Sequence, residues 1–260
     1  MELSIETCCM IPWKEIDRAT VPGDEGEVIL LVRGEEFSIR TAGSELMNSR
    51  IHGSEESLAE LALSRLDSDG SWQILIGGLG MGYTLAATLE QSGSDAQILV
   101  SELIPAIVKW NRKYLGNLAG RPLADPRVKV AEEDVVKTID QQRTAWDAIL
   151  LDVDNGPAGL TRKANDRLYG NSGLKASFDA LRPGGILAVW SSAVDEAFTR
   201  RMKRSGFETK IISVRARKSG KGSTHTIWLG KKTEPKYLVN PHMNQTMAER
   251  EIKEWMKSVW

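Results

Sequence analysis

Three glycines and one carboxylate carry the first chemical signal in this 260-residue chain. Residues 73–82 read Gln-Ile-Leu-Ile-Gly-Gly-Leu-Gly-Met-Gly, an apolar run that breaks at Gly78, Gly80 and Gly82. A strand over 74–76 that ends in alternating glycines can turn tightly and admit a ligand to its backbone, because no side chains block the approach. Residues 83–91 then read as a helix whose unsatisfied N–H groups and partial positive charge face the same crevice. Glu102 closes the next apolar run, a strand over 96–100, where a carboxylate can accept two ribose hydroxyls. A dinucleotide fingerprint spaces its glycines G-x-G-x-x-G to seat a pyrophosphate. Here they run G-x-G-x-G, which suits an adenosyl ligand without one, such as S-adenosylmethionine. A plain tight turn is the competing reading, and Glu102 weighs against it.

Other chemistry-bearing residues gather around the same crevice. Asp152 ends an apolar strand over 148–151 and so stands above the carboxyl ends of the strands, where it can bind an amine cation, take its proton or cap its own loop. Between Met47 and Glu56 the chain packs Arg50, His52, Glu55 and Glu56 into the entry of a helix expected over about 55–66, with Ser54 as its cap and acidic residues in its first turn. Arg50, His52 and Glu55 are candidates to touch the donor tail or an acceptor. Trp190 ends a later strand beside the crevice. Arg215, Arg217, Lys218 and Lys221 form a basic turn that lacks interleaved aromatics and reads as a solvated loop.

The elements that position these groups alternate. After Glu102 come a helix over 105–115, a strand over 128–131, a helix over 135–142, the strand over 148–151, a helix near 171–181, a turn at 182–185 and a strand over 186–190. Strands alternating with helices imply a doubly wound, mostly parallel α/β sheet with right-handed crossovers. A helix over 193–205 and strands over 208–215 and 224–230 suit an antiparallel edge. Ahead of the glycine loop, strands over 27–32 and 36–41 around Arg33-Gly34 signal a hairpin in a small N-terminal β-subdomain. The expected division is 1–53, 54–234 and a polar tail over 235–260 with a short helical stretch near 247–258.

Composition narrows the partners. With a formal net charge of -1, the chain offers no global field for nucleic acid or a membrane surface, so a small molecule is the expected partner. No apolar run approaches the length of a membrane span and no basic-then-apolar leader opens the chain, which implies a cytoplasmic protein. Cys8 and Cys9 are adjacent and cannot staple a fold, and the three histidines, at 52, 225 and 242, are scattered, so no metal site is expected.

Across about residues 36–230 the order of motifs resembles the spermidine synthase family, a branch of the class I methyltransferase-like fold with an N-terminal β-subdomain. The similar segments are Ile-Gly-Gly-Leu-Gly-Met-Gly, Ser-Glu-Leu-Ile-Pro-Ala-Ile-Val, Trp-Asp-Ala-Ile-Leu-Leu-Asp-Val-Asp-Asn-Gly-Pro-Ala-Gly, the Leu168-Tyr169 pair and Leu-Arg-Pro-Gly-Gly-Ile-Leu. The resemblance implies that Gly78, Gly80, Gly82, Glu102, Leu103, Glu133, Asp134 and Asp152 bind the nucleoside donor. Within that set Glu102 would hold the ribose and Asp134 the adenine amino group. It further implies that Asp152 and Asp154 are catalytic, that Arg50, His52, Glu55, Tyr169 and Trp190 face the substrate, and that the chain forms a homodimer. The chain also departs from the family. Gly80 stands where the family grips the amine of its decarboxylated donor with an aspartate. Leu58 and Ala59 replace a tyrosine and a glutamine, and Asp154 comes one place early for the family's second acidic position. These departures favour intact S-adenosylmethionine and methyl transfer to a small acceptor, such as an amine. Aminopropyl transfer from decarboxylated S-adenosylmethionine to a polyamine and a catalytically silent nucleoside-binding protein are the alternatives.

Overall fold

The computed structural model describes residues 11–233 apart from 24, 42–43, 68–70, 154–155, 158–166, 218 and 220–221. Asp154, the paired cysteines, Lys218, Lys221 and the expected helix near 247–258 therefore lie outside the described residues.

The chain opens with an antiparallel sheet of β1 (Lys14–Thr20), β2 (Glu27–Arg33), β3 (Glu36–Thr41) and β4 (Ser44–Asn48), paired in that order. The expected hairpin is present: Arg33 pairs with Glu36 across a turn in which Gly34 takes a φ of 60°. One face of this sheet sends Val28, Leu30 and Ile39 into the same apolar cluster as Leu58, Ile74 and Ile76. The N-terminal sheet thus shares its core with the rest of the molecule.

Next comes α1 (Gly53–Leu63), which buries Leu58, Ala59, Ala62 and Leu63 at helical spacing. Its start differs from the sequence reading. His52 is the N-cap and makes no side-chain capping bond, while Ser54 is wholly buried inside the first turn. The Ser54 hydroxyl is engaged by side chains, which leaves no capping role for it.

A second sheet follows, built from β5 (Gln73–Gly77), β6 (Gln97–Ser101), β7 (Val128–Ala131), β8 (Trp146–Leu151), β9 (Leu181–Ser191), β10 (Phe207–Arg215) and β11 (Thr224–Lys232). Its order is β10-β11-β9-β8-β5-β6-β7, with the last five strands parallel and the first two antiparallel, as the alternation and the closing hairpin implied. The strand order reverses between β5 and β8, so the loops leaving these two strands flank the crevice where ligands of open α/β sheets bind. Between the strands run α2 (Tyr83–Gln91), α3 (Pro105–Trp110), α4 (Val135–Asp140), α5 (Asn171–Ala180) and α6 (Glu196–Arg204).

Two local departures have identifiable causes. The helix expected over 105–115 is α-helical only to Trp110 and continues as a π-helical turn, Asn111–Leu115. Within that turn the Asn111 amide donates both to Ile107 O (2.9 Å) and to Gly80 O (2.7 Å), so the wider turn coincides with a side chain reaching out of its own helix. The Arg182-Pro183-Gly184-Gly185 turn lies inside β9 as a bulge: Trp146 pairs with Leu181 but Ala148 with Ile186. Arg182 closes it through Asp147 Oδ2 at 2.7 Å, an atom that also accepts from Gln73 N.

Candidate active site

Beneath the N-terminal sheet, over the carboxyl ends of the parallel strands, lies a cavity of about 150 Å³. Its floor is formed by Gly78 and Gly80 after β5, Glu102 and Leu103 after β6, Asp134 after β7 and Asp152 after β8. Glu55 of α1 and Trp190 of β9 close the sides, and Ile39, Leu46 and Met47 form an apolar roof.

The glycine loop is fixed by close packing. Gly78 has a φ of 90°, and a Cβ there would lie 2.3 Å from the Asp152 carbonyl oxygen, so the two loops that bracket the crevice touch through backbone. Gly80 has a φ of 52°, and a Cβ there would meet Met47 Sδ at 2.7 Å. The space an aspartate side chain would enter is therefore filled by a thioether from β4. Gly82 caps α2 with a φ of 87° and packs toward Pro122 and Asn111 rather than the cavity.

Glu102 is 5% exposed and does structural as well as recognition work. Its Oε2 accepts from Leu79 N and its Oε1 from Ile104 N, each at 2.8 Å, which ties the loops after β5 and β6 together. Asp134 lines the cavity while its Oδ1 caps α4 by accepting from Val136 N at 2.9 Å.

Asp152 and Glu55 face each other across the cavity. Thr84 donates to Asp152 Oδ2 at 2.7 Å, from the first turn of α2. Burial pushes the Asp152 carboxyl up, against the Thr84 hydrogen bond that lowers it. Glu55, 9% exposed, is pushed up to about 7, first by burial and then by the negative charge of Asp152. Two buried carboxylates that repel one another titrate as a coupled pair. Ser54 Oγ lies 2.6 Å from Glu55 Oε2 and 2.8 Å from His225 Nδ1, a ring that packs edge-on to Trp190. Trp190 Nε1 is buried and finds no acceptor among the described residues.

Of the sequence-derived set, Gly78, Gly80, Glu102, Leu103, Asp134, Asp152, Glu55 and Trp190 meet at the cavity. Arg50, His52, Gly82, Glu133 and Tyr169 do not line it. Arg50 pairs with Glu36 at 3.3 Å, facing a different cavity that Trp13 and Arg217 also line. His52 stacks on Tyr83 with centroids 4.0 Å apart and contacts Glu56. Glu133 is held by Thr138 and Lys137, and Tyr169 packs edge-on to Phe198 in the core on the opposite face of the sheet. Thr84, Met47 and the Ser54–His225 pair belong to the site although the sequence reading gave them no place in it. Their only prior signal was proximity to the loop, and 171 residues separate Ser54 from His225.

A parallel sheet of this order with a glycine loop and a ribose-type carboxylate at the switch point defines a protein of the class I methyltransferase-like fold. The backbone is similar to the spermidine synthase of Thermotoga maritima, with a TM-score of 0.67 at 17% identity over 84% of this chain and 72% of that one. It is also similar to a probable spermidine synthase from Corynebacterium glutamicum, with a TM-score of 0.56 at 17% identity over 85% of this chain and 80% of that one. The spermine/spermidine synthase domain matches residues 55–202, and the chain belongs to that family. Among curated relatives, the polyamine aminopropyltransferase of Thermoanaerobacter sp. (strain X514) is 26% identical over 45% of this chain and 39% of its own length. That of Prochlorococcus marinus (strain AS9601) is 27% identical over 53% of this chain and 46% of its own length. The matches thus span less than half the length of these relatives. Among the described residues no helix is long and apolar enough to cross a membrane.

Proposed function

We propose that the chain transfers an aminopropyl group from decarboxylated S-adenosylmethionine to a polyamine-type amine. The observation that carries this reading is the charge of the cavity: Glu55, Glu102, Asp134 and Asp152 line it, and no basic side chain does among the described residues. Near a surface, an opposite unit charge at 4 Å is worth about 4 kcal/mol at an effective dielectric of about 20, and a like charge costs as much. A donor without a carboxylate and an acceptor that is an amine bring cations into this lining. A donor with a carboxylate brings an anion that meets no cation there.

The residues present fit an adenosyl donor. Glu102 would hold the ribose hydroxyls and Asp134 the adenine amino group, and Gly78 and Gly80 leave their backbone open to the ligand. When bound, the donor supplies a sulfonium-activated carbon that needs no further electrophilic help. What remains for the protein is to orient the acceptor nitrogen and take its proton. Asp152, held by Thr84, binds the acceptor cation and receives that proton, and Glu55 opposite it stabilises the second charge. The apolar roof of Ile39, Leu46 and Met47 excludes water from the reacting groups. A homodimer and a cytoplasmic location belong to the same proposal, on the strength of the family resemblance.

One observation favours a second reading, methyl transfer from intact S-adenosylmethionine. Gly80 carries no aspartate for the decarboxylated donor's amine, and Met47 occupies that place. Calorimetric titration of the protein with intact and with decarboxylated S-adenosylmethionine separates the two. Tighter binding of the decarboxylated donor is expected, and tighter binding of the intact donor would replace the first reading by the second. If neither bound, the cavity would belong to a silent relative. Asp152→Asn should lower the transfer rate about a hundredfold with donor affinity nearly unchanged.

A further inference from the structure

Each transfer to a protonated amine releases one proton, and the cavity that receives it is walled by an apolar roof and by Trp190. A continuous line of exchangeable groups leads away from it. Glu55 Oε2, Ser54 Oγ and His225 Nδ1 are joined by contacts of 2.6 and 2.8 Å, and His225 Nε2 lies 3.0 Å from the hydroxyl of Ser223, an exposed residue. We propose that Ser54 and His225 are proton-relay residues that carry the acceptor's proton from Glu55 to solvent at Ser223. The inference rests on the transferase reading above for its substrate but not for its wiring.

Hydrogen-bond valence decides what the line can do. Ser54 has one proton and two partners, a carboxylate oxygen and an imidazole nitrogen, so it can donate to only one of them at a time. With Glu55 protonated, Glu55 donates to Ser54, Ser54 to His225 Nδ1, and Nε2–H to Ser223. Moving one proton along each step leaves Glu55 ionised, Ser54 donating to Glu55, and Nδ1–H donating to Ser54, while the Nε2 proton goes to solvent. Every heavy atom ends with a complete valence. A swing of the ring away from Ser54 lets the Nδ1 proton exchange with solvent while Nε2 is reprotonated, and with rotation of the Ser54 hydroxyl this restores the first polarity. In the reaction itself the acceptor N–H bond breaks with its electron pair left on nitrogen for the new N–C bond. The C–S pair departs with sulfur, and the proton passes to the Asp152–Glu55 pair.

The surroundings favour this use over a static one. Ser54 is fully buried, so no water competes for its hydroxyl. Burial pushes His225 down, which keeps the ring neutral with one nitrogen able to donate and the other to accept. The charged and titratable groups facing Glu55 are Asp152 from the loop after β8, Tyr83 from α2 and Glu56 on its own helix, all neutral or negative; burial first, and then the charge of Asp152, raises its proton affinity toward neutrality. A cap or a packing contact would need only one of the two bonds to Ser54.

Two measurements test the relay. The first needs no substrate: imidazole ¹⁵N shifts of His225 across about pH 5.5 to 8.5. The tautomer balance is expected to follow Glu55 ionisation in the wild type and to lose that dependence in Ser54→Ala and in Glu55→Gln. A pH-independent tautomer in the wild type would overturn the proposal. The second uses decarboxylated S-adenosylmethionine and putrescine as probes. His225→Ala is expected to lower kcat about tenfold with KM little changed and to recover with added imidazole. A kcat within twofold of wild type, or a loss that imidazole leaves untouched, would overturn it. Failure of the wild type to turn over the probes would sink the transferase reading, and the ¹⁵N shifts would still decide the relay.

Discussion

Replacing Glu55 by glutamine tests the electrostatics of the cavity without any ligand. The wild-type carboxyl is pushed up from an ordinary 4.5 to about 7 by burial and by Asp152. A carboxyl raised in this way binds its proton more tightly in the folded than in the unfolded chain. Its contribution to stability is therefore fully present below about pH 4.5 and is lost as pH rises through about 7. At about 1.4 kcal/mol per tenfold change in proton affinity, the loss reaches ~3 kcal/mol. Glutamine keeps an acceptor for the Ser54 hydroxyl and cannot ionise, so the difference between variant and wild type reports the titration of Glu55 together with its coupled partner Asp152. For a chain of this size ~3 kcal/mol corresponds to about 6–12 °C in melting temperature. Scanning calorimetry at about pH 4.5 and pH 9 should show Glu55→Gln gaining that much on the wild type between the two conditions. A difference that stays constant within about 2 °C would refute the argument, because it would mean that Glu55 titrates as an ordinary, solvated carboxyl.

Three further substitutions follow from the same geometry. Gly78→Ala must place a Cβ against the Asp152 carbonyl in a left-handed backbone, and urea unfolding should show a loss of at least ~3 kcal/mol together with weakened donor binding. Trp190→Phe removes a buried N–H that has no acceptor among the described residues, so the free protein should keep its stability or gain up to ~1 kcal/mol while donor affinity in calorimetry falls about tenfold. Asn111→Ala deletes the amide bonds to Gly80 O and Ile107 O. A stability loss of about 2 kcal/mol is expected, with faster hydrogen exchange at residues 78–82.

Local signals carried most of the fold. The helix over 83–91 and the strand over 128–131 match their expected bounds because each lies between unambiguous punctuation, Gly82 in one case and the Pro126 and Asp134 flanks in the other. Boundaries slipped where a long-range partner decided them. Ser54 has every local mark of a helix cap, yet a histidine on β11 and the neighbouring Glu55 claim its hydroxyl, and the helix begins two residues earlier, at Gly53. The π-helical turn at Asn111 is set by a carbonyl 31 positions away, which no periodicity within the helix could reveal. At the site, the residues that follow directly from strand ends were legible, as Glu102 and Asp152 show. Arg50, His52 and Tyr169 came from the family resemblance, and in the structure Arg50 pairs with Glu36, His52 stacks on Tyr83 and Tyr169 packs on Phe198.

The match to the synthase family begins at Glu55 and ends at residue 202, and this boundary divides the cavity. The nucleoside floor lies inside it, while the Met47 roof and the His225 exit lie on strands outside it. On the proposed reading, a change at Met47 resizes the space above Gly80 while Glu102, Asp134 and Asp152 keep their places on the cavity floor. Within the proposed reading, such an arrangement would let the acceptor side vary while the nucleoside side stays constant, and it marks β4 and β11, rather than the glycine loop, as the places to look for diversification.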